Sequence, residues 1–184
     1  KLTIQKEFDV NCEAPCDGEL ILRKIETDAD IASVFALASK IWPICYKDII
    51  TATQIDFMLA WMYAPETIKK EISEGVGYFL LESNGADSGV LSYDMKPDGD
   101  GVVYLHKIYL APALWSQGLG RRLLKHVAKH AEDVGARAVE LNVNKKNERA
   151  IRAYERVGFT KRKEQVREIG GGFLMDDFVM RLEI

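Results

Sequence analysis

The sequence predicts a mixed α/β domain, and three observations predict it. Apolar residues alternate in short runs before residue 110, recur at helical spacing over 120–134, and alternate again at Val139, Leu141 and Val143. Turn signals at Asn84-Gly85, Pro97-Asp98-Gly99 and Gly170-Gly171-Gly172 separate neighbouring strand-like runs, the mark of antiparallel pairs. A glycine turn, Gly118-Leu119-Gly120, then leads from the strand ending at Leu110 into the long helix. With 184 residues, 47% of them hydrophobic, the chain can bury one core. The expected division is an arm or extra edge strand at 1–19 and one domain at 20–184.

Each element has its own signal. Residues 1–19 are polar and broken by Pro15 and Gly18. The run 20–25 reads as the first core strand. Thr27 and Asp28 offer cap chemistry to a helix with Ile31, Val34, Phe35, Ala38, Ile41 and Trp42 on one stripe, and Pro43 is expected to end it. Thr53 is the expected cap of a second helix, with Ile55, Met58, Leu59 and Met62 inward. Pro65 starts a third, which reaches Ile72 before Gly75.

Runs 78–82 and 89–93 form a hairpin around Asn84-Gly85, and the strand Val102 to Leu110 follows. Helix 120–134 turns Leu123, Leu124, Val127, Ala131 and Val134 inward and closes at Gly135. After the strand at 139–143, Asn147 starts a short helix with Ala150, Ile151, Tyr154 and Val157 inward. Gly158 stops it, and a terminal pair of strands flanks the triple glycine.

Charge and composition narrow the function. The 25 basic and 28 acidic residues leave a net charge of −3, which gives no electrostatic footprint for nucleic acid. No run approaches the ~18 apolar residues of a membrane span, and the charged start is not followed by a signal-like apolar segment, so a soluble, cytoplasmic protein is expected. Cys12, Cys16 and Cys45 form no paired CxxC, so reduced thiols and no metal are expected. His126 and His130 lie one helical turn apart but lack the glutamate of a zinc protease motif; a solvated helix face is the expectation.

Gly118 and Gly120 let main-chain N–H groups approach a ligand where the helix presents partial positive charge, which suits a pyrophosphate. A dinucleotide fingerprint would need glycine in place of Leu123, and a P-loop would need Gly-Lys-Ser/Thr instead of Gly120-Arg121-Arg122. An ordinary strand-to-helix turn is the plain alternative. Against it, Arg121 and Arg122 in the first helical turn oppose the macrodipole unless an anion sits nearby.

Taken in order, these motifs resemble the GCN5-related N-acetyltransferase (GNAT) family over about residues 20–184. The resemblance implies a strongly twisted mixed sheet of about seven strands, with the fourth and fifth splayed to admit the pantetheine arm of acetyl-coenzyme A. The family's loop pattern, Arg/Gln-x-x-Gly-x-Gly/Ala, falls on Trp115-Ser116-Gln117-Gly118-Leu119-Gly120; Trp115 departs from it, and Gln117 is the available substitute. The Asn and Tyr-x-x-x-Gly-Phe segment falls on Asn147 and Tyr154 to Phe159. The resemblance thus implies a cofactor-binding set of Ile108, Tyr109, Leu110, Ser116, Gln117, Gly118, Leu119, Gly120, Arg121, Asn147, Tyr154 and Arg156. It also implies that Asn147 touches the pantetheine and Tyr154 faces the thioester sulfur. The runs 105–109 and 172–177 are similar to small bacterial members related to polyamine acetyltransferases. Family likeness places the acceptor cleft between the first two helices and the last hairpin, and homodimers are frequent among its members.

An alkyl amine of pKa ~10.4 is neutral at pH 7 in only about one molecule in 2,500, so the site needs a proton acceptor or desolvation. Tyr104 and His106 are two apart on the strand before the glycine turn and share the face that opens towards the splay if family geometry holds. His106 is the preferred base, with Tyr104 and Glu26 as rivals and a backbone-bonded structural histidine as the alternative. Tyr154 can stabilise or protonate the leaving thiolate, and its alternative is a plain inward residue of its helix. Asn147 serves equally as an N-cap.

Trp42, Tyr46, Phe57, Trp61 and Tyr63 cluster in the helical region, most of them expected in the core, and Asp48, Asp56, Asp176 and Asp177 could attract a cationic amine. The expected activity is acetyl-CoA-dependent transfer to a primary amine of a small molecule, polyamine or amino-acid-like. Peptide N-terminal acetylation and a non-catalytic CoA-binding sensor stay open.

Overall fold

Among the described residues, seven strands make one sheet in the order β1-β2-β3-β4-β5-β7-β6. In chain order the elements are β1 (Leu20–Lys24), α1 (Asp28–Tyr46), α2 (Ala52–Met62), α3 (Pro65–Ser73), β2 (Val76–Ser83), β3 (Ala86–Asp94), β4 (Val102–Leu110), α4 (Leu119–Asp133), β5 (Ala138–Asn144), α5 (Glu148–Glu155), β6 (Thr160–Gly170) and β7 (Phe173–Glu183). The computed structural model describes residues 20–184, so the arm expected at 1–19, with Cys12 and Cys16, lies outside them.

Every strand pair is antiparallel except β4 with β5, which α4 joins as a crossover. That parallel pair holds for three residues only, Val102↔Ala138 to Tyr104↔Glu140, after which the strands part. The main chain of β4 from 105 to 110 therefore turns an edge without a strand partner towards β5, among the described residues. This is the expected splay.

The sheet separates two apolar cores. One face packs under α1, α2 and α3 with Ile41, Trp42, Tyr63, Tyr78 and Leu80; the other packs under α4 and α5 with Leu124, Val127, Val139, Leu141 and Met180. A bulge in β4 controls which residues face which core. Ser92 pairs with Lys107 but Tyr93 pairs with Leu105, so His106 is the extra residue. Val103 and Leu105 join the α4 core and so do Ile108 and Leu110, whereas Tyr109 joins the α1 core and Lys107 reaches Tyr63 and Tyr78. Without the extra residue, Lys107 and Tyr109 would face α4.

Local chemistry moved several boundaries. Thr27 caps α1 through a reciprocal capping box with Asp30, as expected, but Pro43 lies inside the helix, which runs one more turn to Tyr46. That turn is held by tertiary contacts: the Trp42 indole donates to Tyr63 Oη at 3.1 Å, and the Trp42 and Tyr46 rings lie 4.8 Å apart. Phe35 is 42% exposed, and Leu37 takes its place in the core. Thr51, not Thr53, caps α2. His126 and His130 are not a solvated face: their Nε2 atoms lie 3.1 Å from Tyr93 Oη and from the Met95 carbonyl, and both rings pack on Tyr93. No helix among the described residues is long and apolar enough to cross a membrane.

Candidate active site

Where β4 and β5 part, a cavity of about 630 Å³ opens through the sheet. Its walls come from α1 and α2 (Trp42, Tyr46, Gln54, Met58), from β4 (104–110), from β5 and the start of α5 (Asn142, Asn144, Asn147, Arg149, Tyr154) and from the last hairpin (Arg167, Met175, Asp177). The sequence-derived residues Tyr104, His106, Ile108, Tyr109, Leu110, Asn147 and Tyr154 all meet here.

Trp115 lines the cavity, and the glycine loop follows it directly in the chain. Gly118 caps α4 at φ +75° without any side-chain cap, so the first-turn N–H groups point outward uncovered. A Cβ at Gly118 or Gly120 would meet nothing within 4 Å, which leaves a bare main-chain cradle at the positive end of a 15-residue helix. Arg121 and Arg122 form no salt bridge among the described residues, so their charge is uncompensated at this helix end. These residues fit a diphosphate. Ser116, Gln117 and Arg121 are exposed around the cradle, Leu119 is buried beneath it, and Arg156 is exposed and off the cavity wall.

The departure at Trp115 has a local explanation. Its indole N–H donates to the Leu110 carbonyl at 2.8 Å, and its ring carries the Arg149 guanidinium at 3.6 Å. A cation thus reaches the mouth from α5 instead of from position 115. The Gln117 amide donates back to the Ala113 carbonyl at 2.8 Å.

Deeper in, four phenols converge. Tyr46 and Tyr109 hydroxyls lie 3.4 Å apart, Tyr63 holds the Trp42 indole, and the Tyr154 phenol interacts with both Tyr46 and Tyr109. Burial raises all four, Tyr46, Tyr63 and Tyr109 well above the usual phenol value and Tyr154 to about 12. Each is a neutral hydrogen-bond donor at physiological pH. Asn147 accepts from Ala150 N at 3.2 Å as the N-cap of α5, so its side chain is fixed at the cavity wall.

At the vertex of the splay, His106 Nε2 lies 2.7 Å from Asp94 Oδ1, while Asp94 Oδ2 accepts from Tyr104 N at 3.2 Å. The carboxylate orients the imidazole, and with Nε2 as the donor it leaves Nδ1 as the acceptor. Tyr104 stacks edge-on against His106, with ring centroids 4.9 Å apart. Glu26 does not reach the cavity; it sits in a separate surface depression beside α1.

Of the four acids considered for a cationic acceptor, only Asp177 lines the cavity. Strand alternation turns Asp176 to the other face, where it meets Lys145 at 2.6 Å. Asp177 is 4% exposed, and burial lifts its carboxyl to about 6, with Arg167 pulling the other way. Sequence reasoning missed Lys107. It is buried beneath the cavity, paired with Glu71 at 2.9 Å, and lies 4.8 Å from the Tyr78 ring centre; only the bulge at His106 brings it there. Among the described residues no group of three or more His, Cys, Asp or Glu is arranged to hold a metal.

Comparison with known proteins adds the following. The acetyltransferase (GNAT) family description matches residues 38–159. The chain is 30% identical over 107 residues to the L-methionine sulfoximine/L-methionine sulfone acetyltransferase of Salmonella typhimurium, covering 57% of this chain and 59% of that protein. It is 38% identical over 85 residues to the mycothiol acetyltransferase of Thermomonospora curvata, covering 46% of this chain and 28% of that one. The chain thus spans less than two thirds of these curated relatives. Among solved structures, a PaiA N-acetyltransferase of Thermoplasma acidophilum in complex with coenzyme A superposes with a TM-score of 0.73 at 19% identity, covering 90% of this chain and 99% of that one. That likeness establishes the fold.

Proposed function

Because the chain belongs to the GNAT family of acetyltransferases, we propose that it transfers the acetyl group of acetyl-coenzyme A to a primary amine of a small molecule, polyamine-like or amino-acid-like, within a ternary complex. The observation that carries this reading is the splay: one cavity runs from the free edge of β4 to a walled chamber on the opposite face of the sheet, and the uncapped α4 terminus follows Trp115 of its wall in the chain. A diphosphate fits the cradle of 116–121, with Arg149 beside it. The edge of β4 at Ile108, Tyr109 and Leu110 offers main-chain partners to an amide-bearing arm, with Asn147 and Tyr154 across from it. The names of the two curated relatives, both small-molecule acetyltransferases, support a small acceptor over a peptide.

Acetyl-coenzyme A supplies the activated thioester. The acceptor nitrogen forms the new bond to the acetyl carbon, the carbon–sulfur bond breaks, and the amine's proton passes to His106, oriented by Asp94. The sulfur departs as a thiolate of pKa near ~8.5. With Tyr154 raised to about 12, full proton donation would be uphill by about 5 kcal/mol, so Tyr154 acts as a hydrogen-bond donor that stabilises the charge.

Titration calorimetry with coenzyme A, and thiol release from acetyl-coenzyme A in the presence of amines, test the proposal together. Tyr154→Phe should lower turnover at least about tenfold and leave coenzyme affinity within about twofold. Wild-type turnover in that variant removes the assignment, and absence of coenzyme uptake by the folded protein removes the whole reading.

A further inference from the structure

The charges around the cavity are matched with one exception. Among the described residues its wall carries four cations, Lys70, Lys107, Arg149 and Arg167, against three acids, Glu71, Glu74 and Asp177. Lys107 is closed on Glu71 at 2.9 Å, Lys70 lies 3.8 Å from Glu74, and Arg149 is stacked on Trp115 at the mouth. Arg167 and Asp177 are the pair left open.

The register of the last hairpin explains their placement. Gln165 pairs with Asp177 and Arg167 with Met175, so Arg167 and Asp177 are diagonal neighbours on the face of the sheet that lines the cavity. They sense each other electrostatically, yet they form no salt bridge, and among the described residues the Arg167 guanidinium meets Met175 Sδ at 3.5 Å. Among the described residues nothing donates a hydrogen bond to the Asp177 carboxylate, although Asp177 is 4% exposed. Its carboxylate oxygens are open to the cavity and free to accept from a ligand.

We propose that the acceptor is an α-amino-acid-like zwitterion, its ammonium seated on Asp177 and its carboxylate held by Arg167. The inference rests on the acetyl-transfer reading and names the substrate class for it. The two groups of such a substrate are one carbon apart and of opposite sign, in the same order as the two side chains that face them. A polyamine would bring further positive charge to a wall where cations already outnumber acids, and only one acid there lacks a partner. Arg167 also provides the planar fork that carboxylates take in bidentate fashion.

The test is thiol release from acetyl-coenzyme A by the full chain, with the twenty protein L-amino acids, their methyl esters and spermidine as probes. At least one free amino acid should exceed its own ester and spermidine in kcat/KM by about tenfold or more. In Arg167→Ala that preference should vanish through a raised KM for the free acid, with the ester unchanged. Arg167 is exposed, so this variant leaves the fold intact, and the ester serves as its internal control. Asp177→Asn should weaken both acid and ester. Equal or better use of esters or spermidine, or a preference that survives Arg167→Ala, overturns the inference while leaving acetyl transfer standing. Thiol release with none of the probes overturns the inference and counts against acetyl transfer as well.

Discussion

The two faces of the sheet meet at the splay but are built from different material. On the α4–α5 face the groups proposed for recognition are main-chain: the uncapped N–H groups of α4, the glycine cradle and the free edge of β4. On the α1–α3 face they are side chains drawn from positions as far apart as Trp42 and Asp177. A backbone site demands particular residue types at fixed spacing, because only glycine leaves the amides bare and only a helix terminus adds the dipole. A side-chain site needs only that the fold bring ordinary residues together. The first face is suited to one constant ligand and the second to whichever acceptor its charges match.

The largest expected effect breaks the side-chain face. Lys107 is 3% exposed and, among the described residues, its one carboxylate partner is Glu71, which also accepts from Tyr78 Oη. Glu71→Gln keeps the shape and the tyrosine contact but leaves a buried ammonium without its counter-charge. The expected loss is about 3 kcal/mol or somewhat more in urea unfolding, and the double change Glu71→Gln with Lys107→Met should recover most of it. A single variant as stable as the wild type would mean that the pair is not what holds the floor of the cavity.

A smaller effect of opposite sign is expected at Asp177. Burial raises its carboxyl to about 6 from an ordinary value near 3.8, so between these pH values the folded chain holds a proton that the unfolded chain has released. Stability from this group is therefore greatest below pH 4 and falls as pH rises towards 6. Asp177→Asn should stabilise the protein at pH 7.5 by up to about 3 kcal/mol and make no difference near pH 3.5, as read by denaturation at the two pH values. Lower stability of the Asn variant at pH 7.5 would show that the carboxylate has a partner within the protein. A gain in stability with a loss of acceptor use is the pattern of a residue kept for function.

The same contrast explains what was legible in the sequence. The order of elements and the glycine turn at Gly118 and Gly120 followed from residues whose chemistry is local, whereas the splay and the proposed roles of Asn147 and Tyr154 came through the resemblance carried by motifs at fixed spacing. The end of α1 was misread because Pro43 is a local stop signal, overridden by the packing of Trp42 and Tyr46 against Tyr63 and Tyr109. Lys107 was invisible because its inward turn depends on one extra residue in β4 relative to β3, and register is a property of two strands. Asp94 as the partner of His106 depends on the same bulge. Asp177 could be placed on a list of acids, but its separation from Asp176 required knowing which face of β7 looks into the cavity.

The main-chain face is sharpened by a glycine whose replacement costs the fold nothing. Gly118 is a poor choice, since at φ +75° an alanine there would carry a left-handed strain of about 1 kcal/mol, and loss of binding would be mixed with loss of stability. Gly120 lies within α4, its φ is not left-handed, and a Cβ there meets no atom within 4 Å. The family's loop pattern admits alanine at this position, so the informative change is Gly120→Glu, which should stabilise the helix slightly, by up to about 1 kcal/mol, because an acid in the first turn suits the macrodipole. Its carboxylate would bring negative charge to the first-turn amides, where a diphosphate would approach. Coenzyme A affinity measured by calorimetry should fall by about tenfold or more while the melting temperature holds or rises, and KM for the acceptor amine should stay within about twofold. Unchanged affinity would relocate the phosphates away from the cradle, whereas a fall in affinity together with a fall in melting temperature would reduce the glycine to a structural requirement of the turn.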